Sequence, residues 1–152
     1  MSAEYTASRV QWPVSMAIAG AMILAVHQPL VWLLHWLSLT PWRGFDLAPV
    51  GPWRVPAAVS AVFWGSLWGP IIVRLSRFAP SRRRHAYAAI STAVLTTLAG
   101  GALMLLGRGD RIPASHAVTA VAASLLINGV WSLTTSIAVA KIESRSGVHT
   151  TS

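Results

Sequence analysis

The sequence predicts an all-α integral membrane protein: one domain, a bundle of four transmembrane helices running up and down, with both termini in the cytoplasm. Three observations carry that expectation. Hydrophobic residues make up 54% of the 152 positions and charged residues only 11%, whereas a soluble domain carries about 25% charge. The charges are clustered, and no Asp, Glu, Lys or Arg falls in 10–42, 55–73, 85–107 or 112–140. The basic residues are also divided unequally between the two sides that those windows define. Disorder is excluded by the apolar content. A disulfide scaffold or thiolate metal site is excluded by the absence of Cys.

A bilayer-spanning helix needs about 20 mainly apolar residues. The four windows place spans near 13–38, 55–77, 86–107 and 114–140. A soluble bundle would show a polar face at every turn, and these windows are apolar nearly all round. The first is expected to be a retained helix rather than a cleaved signal peptide. Its apolar stretch is too long, only Arg9 precedes it, and no Ala-x-Ala follows.

The orientation follows from the positive-inside rule. Arg9, Arg74, Arg77, Arg82, Arg83, Arg84, Lys141 and Arg145 share one side, and Arg43, Arg54, Arg108 and Arg111 the other. The larger set assigns the basic loop 74–85 and the polar tail 143–152 to the cytoplasm. Arg82, Arg83 and Arg84 are expected to meet anionic lipid headgroups. A short basic loop against a bilayer needs no nucleic acid to explain it, so no nucleic-acid partner is expected. The outer loop 39–55 is rich in Pro and Trp. Pro41, Pro49, Pro52 and Pro56 forbid a regular helix there, while Trp42, Phe45 and Trp53 suit the headgroup layer. Pro56 and Pro113 fit the first turns of spans two and four. The link 107–113, with its Arg-Gly-Asp tripeptide, reads as turn chemistry.

Within lipid, close packing and interhelical hydrogen bonds hold helices together. Small residues recur at four-residue spacing as Ala57, Ala61, Gly65 and Gly69 in span two. Span four repeats the spacing as Ala120, Ser124, Asn128 and Ser132. Ala61, Gly65, Gly69 and Ser124 are the expected packing contacts, within the bundle or between copies of the chain.

Polar side chains at membrane depth are costly and default candidates for function. His27 and Gln28 lie mid-span beside Pro29, which frees a backbone carbonyl one turn earlier. Asn128 is mid-span in the fourth window, with Thr96 and Thr97 of the third as expected partners. His27, Gln28, Thr96 and Asn128 therefore mark a polar path. His35 and His116 belong near the outer ends of their spans, where they could join Arg43, Asp46 and Asp110 in a polar mouth. No catalytic motif or metal-ligating cluster is present, and no cofactor is expected. All four carboxylates, Glu4, Asp46, Asp110 and Glu143, fall outside the spans, which disfavours cation-coupled transport.

These features lead to a small multi-pass protein of a bacterial inner membrane. Its expected role is that of a non-enzymatic component acting by self-assembly or as an accessory subunit of a larger complex. Two other classes fit the same residues. One is a small oligomeric transporter or channel using the His27/Asn128 path. The other is a cofactor-binding or lipid-modifying enzyme with its site at the outer mouth.

Overall fold

The computed structural model describes residues 3–80, 82–105 and 116–146, with side chains from 12 to 80, 82 to 102 and 116 to 145. The chain is mostly helical. Helix α1 (Ala3–Met22) passes through a π-helical turn (Ile23–His27) into α2 (Gln28–Trp36), forming one continuous rod. A loop with a two-residue antiparallel pair, β1 (Pro49–Val50) and β2 (Val55–Pro56), leads into α3 (Ala57–Ser76). Helices α4 (Arg84–Leu105) and α5 (Ala117–Ser146) complete the fold. Three stretches are long and apolar enough to cross a membrane: Trp12–Trp36, Ala57–Ser76 and Ala117–Arg145. Only 33%, 22% and 28% of their apolar windows are buried inside the protein. So much uncovered apolar surface exceeds what a soluble monomer shows and suits a chain solvated by lipid.

The helix ends depart from expectation at two places. The first helix starts at Ala3, ahead of position 13. The last continues to Ser146, through what reads as polar tail. Helices are free to continue past apolar windows because intrahelical bonds satisfy their backbone. The link 107–113, with Arg108, Asp110 and Arg111, lies outside the described residues.

The rods form antiparallel neighbours. On α1 and α3, Gly20 faces Ser66, Ile23 faces Gly65 and Ser15 faces Gly69. On α4 and α5, His85 meets Ser136, Ala89 meets Ser132 and Thr97 meets Ser124. Contacts of α1 with α5 and of α3 with α4 close the ring. Ala19, Ile23, Ile72, Ala88 and Trp131 form the central cluster. The Trp131 indole Nε1 donates to the Ala19 carbonyl at 3.1 Å, satisfying the one polar atom of a ring that is 1% exposed.

Gly65 and Gly69 are where α3 comes closest to the first rod. A Cβ at Gly65 would overlap the Ile23 side chain, and one at Gly69 the Ser15 backbone. The Gly-x-x-x-Gly face is therefore occupied within the bundle. Opposite it, Val59, Phe63, Trp64 and Leu67 are exposed.

The buried positions of the first rod are Ser15, Ala19, Gly20, Ile23, Gln28, Val31 and Leu34. Along the face that runs through Ser15, Ala19 and Ile23 the steps are four, four, five, three and three. An α-helix keeps one face with steps of three and four. The five-residue step coincides with the π turn, where the Gln28 N–H donates to the Ile23 carbonyl instead of to a partner four residues back. Pro29, one residue further on, has no N–H to offer the Ala25 carbonyl.

Candidate functional site

The π turn places His27 and Gln28 at the head of a cleft of about 260 Å³. His27, Gln28 and Val31 come from the first rod. Ala58 and Ala61 come from α3, and Ser124, Ile127 and Asn128 from α5. Trp42, Arg43 and Asp46 of the 39–55 loop complete the wall. The His27 ring also packs against Trp131 in a T-shaped contact, with centroids 6.3 Å apart and planes at 89°. The buried indole thus lies behind His27 without lining the cleft.

Its polar groups come from several directions. The Asn128 side-chain amide donates to Ser124 Oγ at 3.2 Å. The hydroxyls of Ser124 and Thr97 lie 2.9 Å apart. Gln28 is 5% exposed, and its Oε1 accepts the Phe45 N–H at 2.7 Å. That bond holds Phe45 at φ 56°, a left-handed conformation that is uncommon for a bulky residue. Beside it, a Cβ at Gly44 would lie 2.7 Å from the Trp32 nitrogen, so only glycine lets the loop approach this closely. His27 Nδ1 is buried and has no hydrogen-bond partner among the described residues. Because a buried polar atom without a partner is costly, this nitrogen is a natural contact for a ligand or water.

Of the expected path residues, His27, Gln28 and Asn128 come together, with Ser124 as a hydrogen-bonding hub in addition to its packing role. Thr96 does not join them. Its hydroxyl bonds back to the carbonyls of Thr92 and Ala93 at 2.8 and 3.2 Å, and Thr97 takes the interhelical position. One residue along a helix turns a side chain by about 100°, which separates these neighbours. His35 lies outside the cleft, its Nδ1 3.1 Å from the Thr40 carbonyl. His116 is exposed and also outside it. Arg43 and Asp46 reach the cleft without them. Trp42, expected among headgroups, packs on the buried Val31, Leu34, Ala123 and Ile127 cluster. No group of three or more His, Asp or Glu able to hold a metal occurs among the described residues.

At the other end of the bundle, Ser76, Arg77, Arg84, His85, Ser136 and Glu143 border a second polar cleft of about 270 Å³. Here His85 is a joint that its sequence neighbourhood, a run of arginines, conceals. Arg84 Nε donates to His85 Nε2 at 3.2 Å, and His85 Nδ1 lies 2.8 Å from Ser136 Oγ. With Nε2 accepting, Nδ1 carries the proton and donates to Ser136. A second proton on Nε2 would face the Arg84 guanidinium. Burial first, and that charge second, hold the His85 pKa below its ordinary value of 6.5. The unfolded chain therefore takes up this proton more readily than the folded one. Stability from this group is present above the ordinary value and is lost as pH falls from there toward the depressed folded value. Melting in detergent at pH 7.5 and pH 5 is expected to show a larger drop for wild type than for His85→Gln. An equal drop in both would remove His85 from the account.

No protein-family model, curated protein or solved structure matches this chain.

Proposed function

We propose that the chain is a four-span, multi-pass protein of a bacterial inner membrane, with both termini in the cytoplasm. In this reading it is a non-enzymatic component that receives a small polar solute in its outer cleft. One observation carries it: the convergence of His27, Gln28, Ser124 and Asn128 at membrane depth, under Arg43 and Asp46 at the rim. Polar groups at that depth are retained where they meet a partner, a ligand or water. Behind His27, the buried Trp131 ring would have to move for a solute to pass further into the bundle. Helix α4, uncharged after Arg84, supplies the fourth span. Arg82, Arg83 and Arg84, all exposed, would lie at anionic headgroups on the cytoplasmic side.

Four rods enclose little volume, so passage of a solute calls for an oligomer or a larger complex. The exposed α3 face supports a second reading, an accessory subunit that works by assembly alone. The two readings diverge on His27→Leu and Asn128→Ala. In proteoliposomes of the wild-type protein, light-scattering shrinkage assays with glycerol, urea and glycine are expected to show faster entry of at least one solute. Either substitution should reduce that entry tenfold or more while helical content and melting stay close to wild type. Activity in cells that survives both substitutions, with no solute flux, would leave assembly as the function.

A further inference from the structure

A third and larger cleft, about 720 Å³, runs along the seam of α1 and α3 at the end of the bundle opposite the outer loop. Its volume falls in the range of small-molecule sites. Most of its wall is apolar, with Met16 and Trp12 from α1 and Leu67 and Ile71 from α3. Arg74 and Arg77 lie at one end. Trp12 opens the first membrane-crossing stretch and Ser76 closes the second. The apolar part of the cleft thus lies at acyl-chain depth, and the two guanidinium groups lie at headgroup level. Arg74 stacks over Phe78, 5.6 Å from the ring centroid. No carboxylate among the described residues pairs with it. Arg77 has Glu143 at 3.9 Å.

We infer that this cleft is a site for one acidic phospholipid molecule of the surrounding bilayer. An acyl chain lies against Met16, Leu67 and Ile71, and the phosphate meets Arg74. Charge complementarity selects this occupant. An apolar slot calls for hydrocarbon, and a guanidinium at its mouth with no carboxylate partner among the described residues calls for an anion with several oxygens. A peptide helix would leave Arg74 without that anion, and a neutral lipid would leave it with a balanced headgroup. The site is separate from the basic run 82–84, whose attraction to a negative surface is diffuse and needs no slot.

Native mass spectrometry on the whole protein tests this, using micelles doped with equal amounts of phosphatidylglycerol and phosphatidylcholine of the same acyl chains. The expected result is one tightly retained phosphatidylglycerol per chain, resistant to collisional activation. Arg74→Gln should lower its preference over phosphatidylcholine about fivefold, the fold-change that one interfacial basic residue contributes. Ile71→Trp, which fills the slot, should lower retention of both lipids. Arg82→Gln combined with Arg83→Gln should leave the retained lipid in place. Equal retention of the two lipids by wild type would overturn the inference. So would a preference that Arg74→Gln leaves unchanged, or one that disappears with Arg82 and Arg83. Helical circular dichroism of each variant separates loss of the lipid from loss of the fold.

Discussion

Replacing Gly69 with valine is expected to destabilise the bundle by about 3 kcal/mol or more, the upper end of the usual cost of overpacking. The position leaves no side-chain route of escape, because the added carbon would meet the Ser15 backbone, with its carbonyl carbon 2.6 Å away. Relief requires α1 and α3 to separate, and the Ile23–Gly65 contact lies one turn along the same seam. Gly65→Val should be milder, since the Ile23 side chain it meets can change rotamer. Gly100→Ala and Gly101→Ala are the controls. Among the described residues, no atom beyond the helix's own nearby backbone lies within 4 Å of a Cβ at either site, and alanine favours the helix by about 1 kcal/mol over glycine. Unfolding by sodium dodecyl sulfate titration, followed by circular dichroism, would rank the four variants. If Gly69→Val melted with the controls, the seam between α1 and α3 would not be the main contact of the first rod.

Trp131→Ala is expected to act on stability and on the cleft lined by His27 together. Removing a fully buried Trp costs about 3–5 kcal/mol in a packed core, and lipid cannot enter to repair the void. The space behind His27 would open toward Ala19, Ile72 and Ala88, the neighbours of Trp131 in the central cluster. In proteoliposomes the surviving folded fraction should pass solutes less selectively than wild type. Trp131→Phe keeps most of the ring but loses the bond to the Ala19 carbonyl. It should therefore restore the barrier at a cost of about 1 kcal/mol for the missing hydrogen bond. A destabilised Trp131→Ala protein with unchanged solute selectivity would show that the indole is structural and gates nothing.

How much of this can be read before any coordinates exist depends on which force decides each feature. Charges are the strongest signal, because placing one in hydrocarbon is costly. The charge-free windows thereby locate the helical segments. The stripe of Gly65 and Gly69 shows in the sequence for a similar reason, since only small residues allow such close approach. His27, Gln28 and Asn128 stand out as polar residues in apolar stretches. Three features do not show. Thr97 rather than Thr96 reaches Ser124 because of helix rotation, and adjacent threonines look alike in sequence. Trp42 turns inward where Gln28 captures the Phe45 amide, a bond between residues 17 positions apart. His85 is hidden because its partner Ser136 is 51 positions away. Each is a tertiary choice that no local pattern encodes.

The five-residue step between Ile23 and Gln28 also joins two halves of the first rod that face different partners. Upstream, Ser15, Ala19 and Ile23 answer to α3 and the central cluster; downstream, Gln28, Val31 and Leu34 answer to the 39–55 loop and α5. The wider turn absorbs one extra residue and keeps both halves on their partners. Deleting one residue from 23–27 would turn the five-residue step into one of four, which a regular helix keeps on the same face. Adding or removing a residue elsewhere in the rod has no such outlet and would swing one half about 100° out of phase with its partners. The length of this rod is thus adjustable at one turn and fixed on either side of it. Chains that share this architecture should therefore differ by a residue within 23–27 and tolerate gaps elsewhere between Trp12 and Trp36 hardly at all.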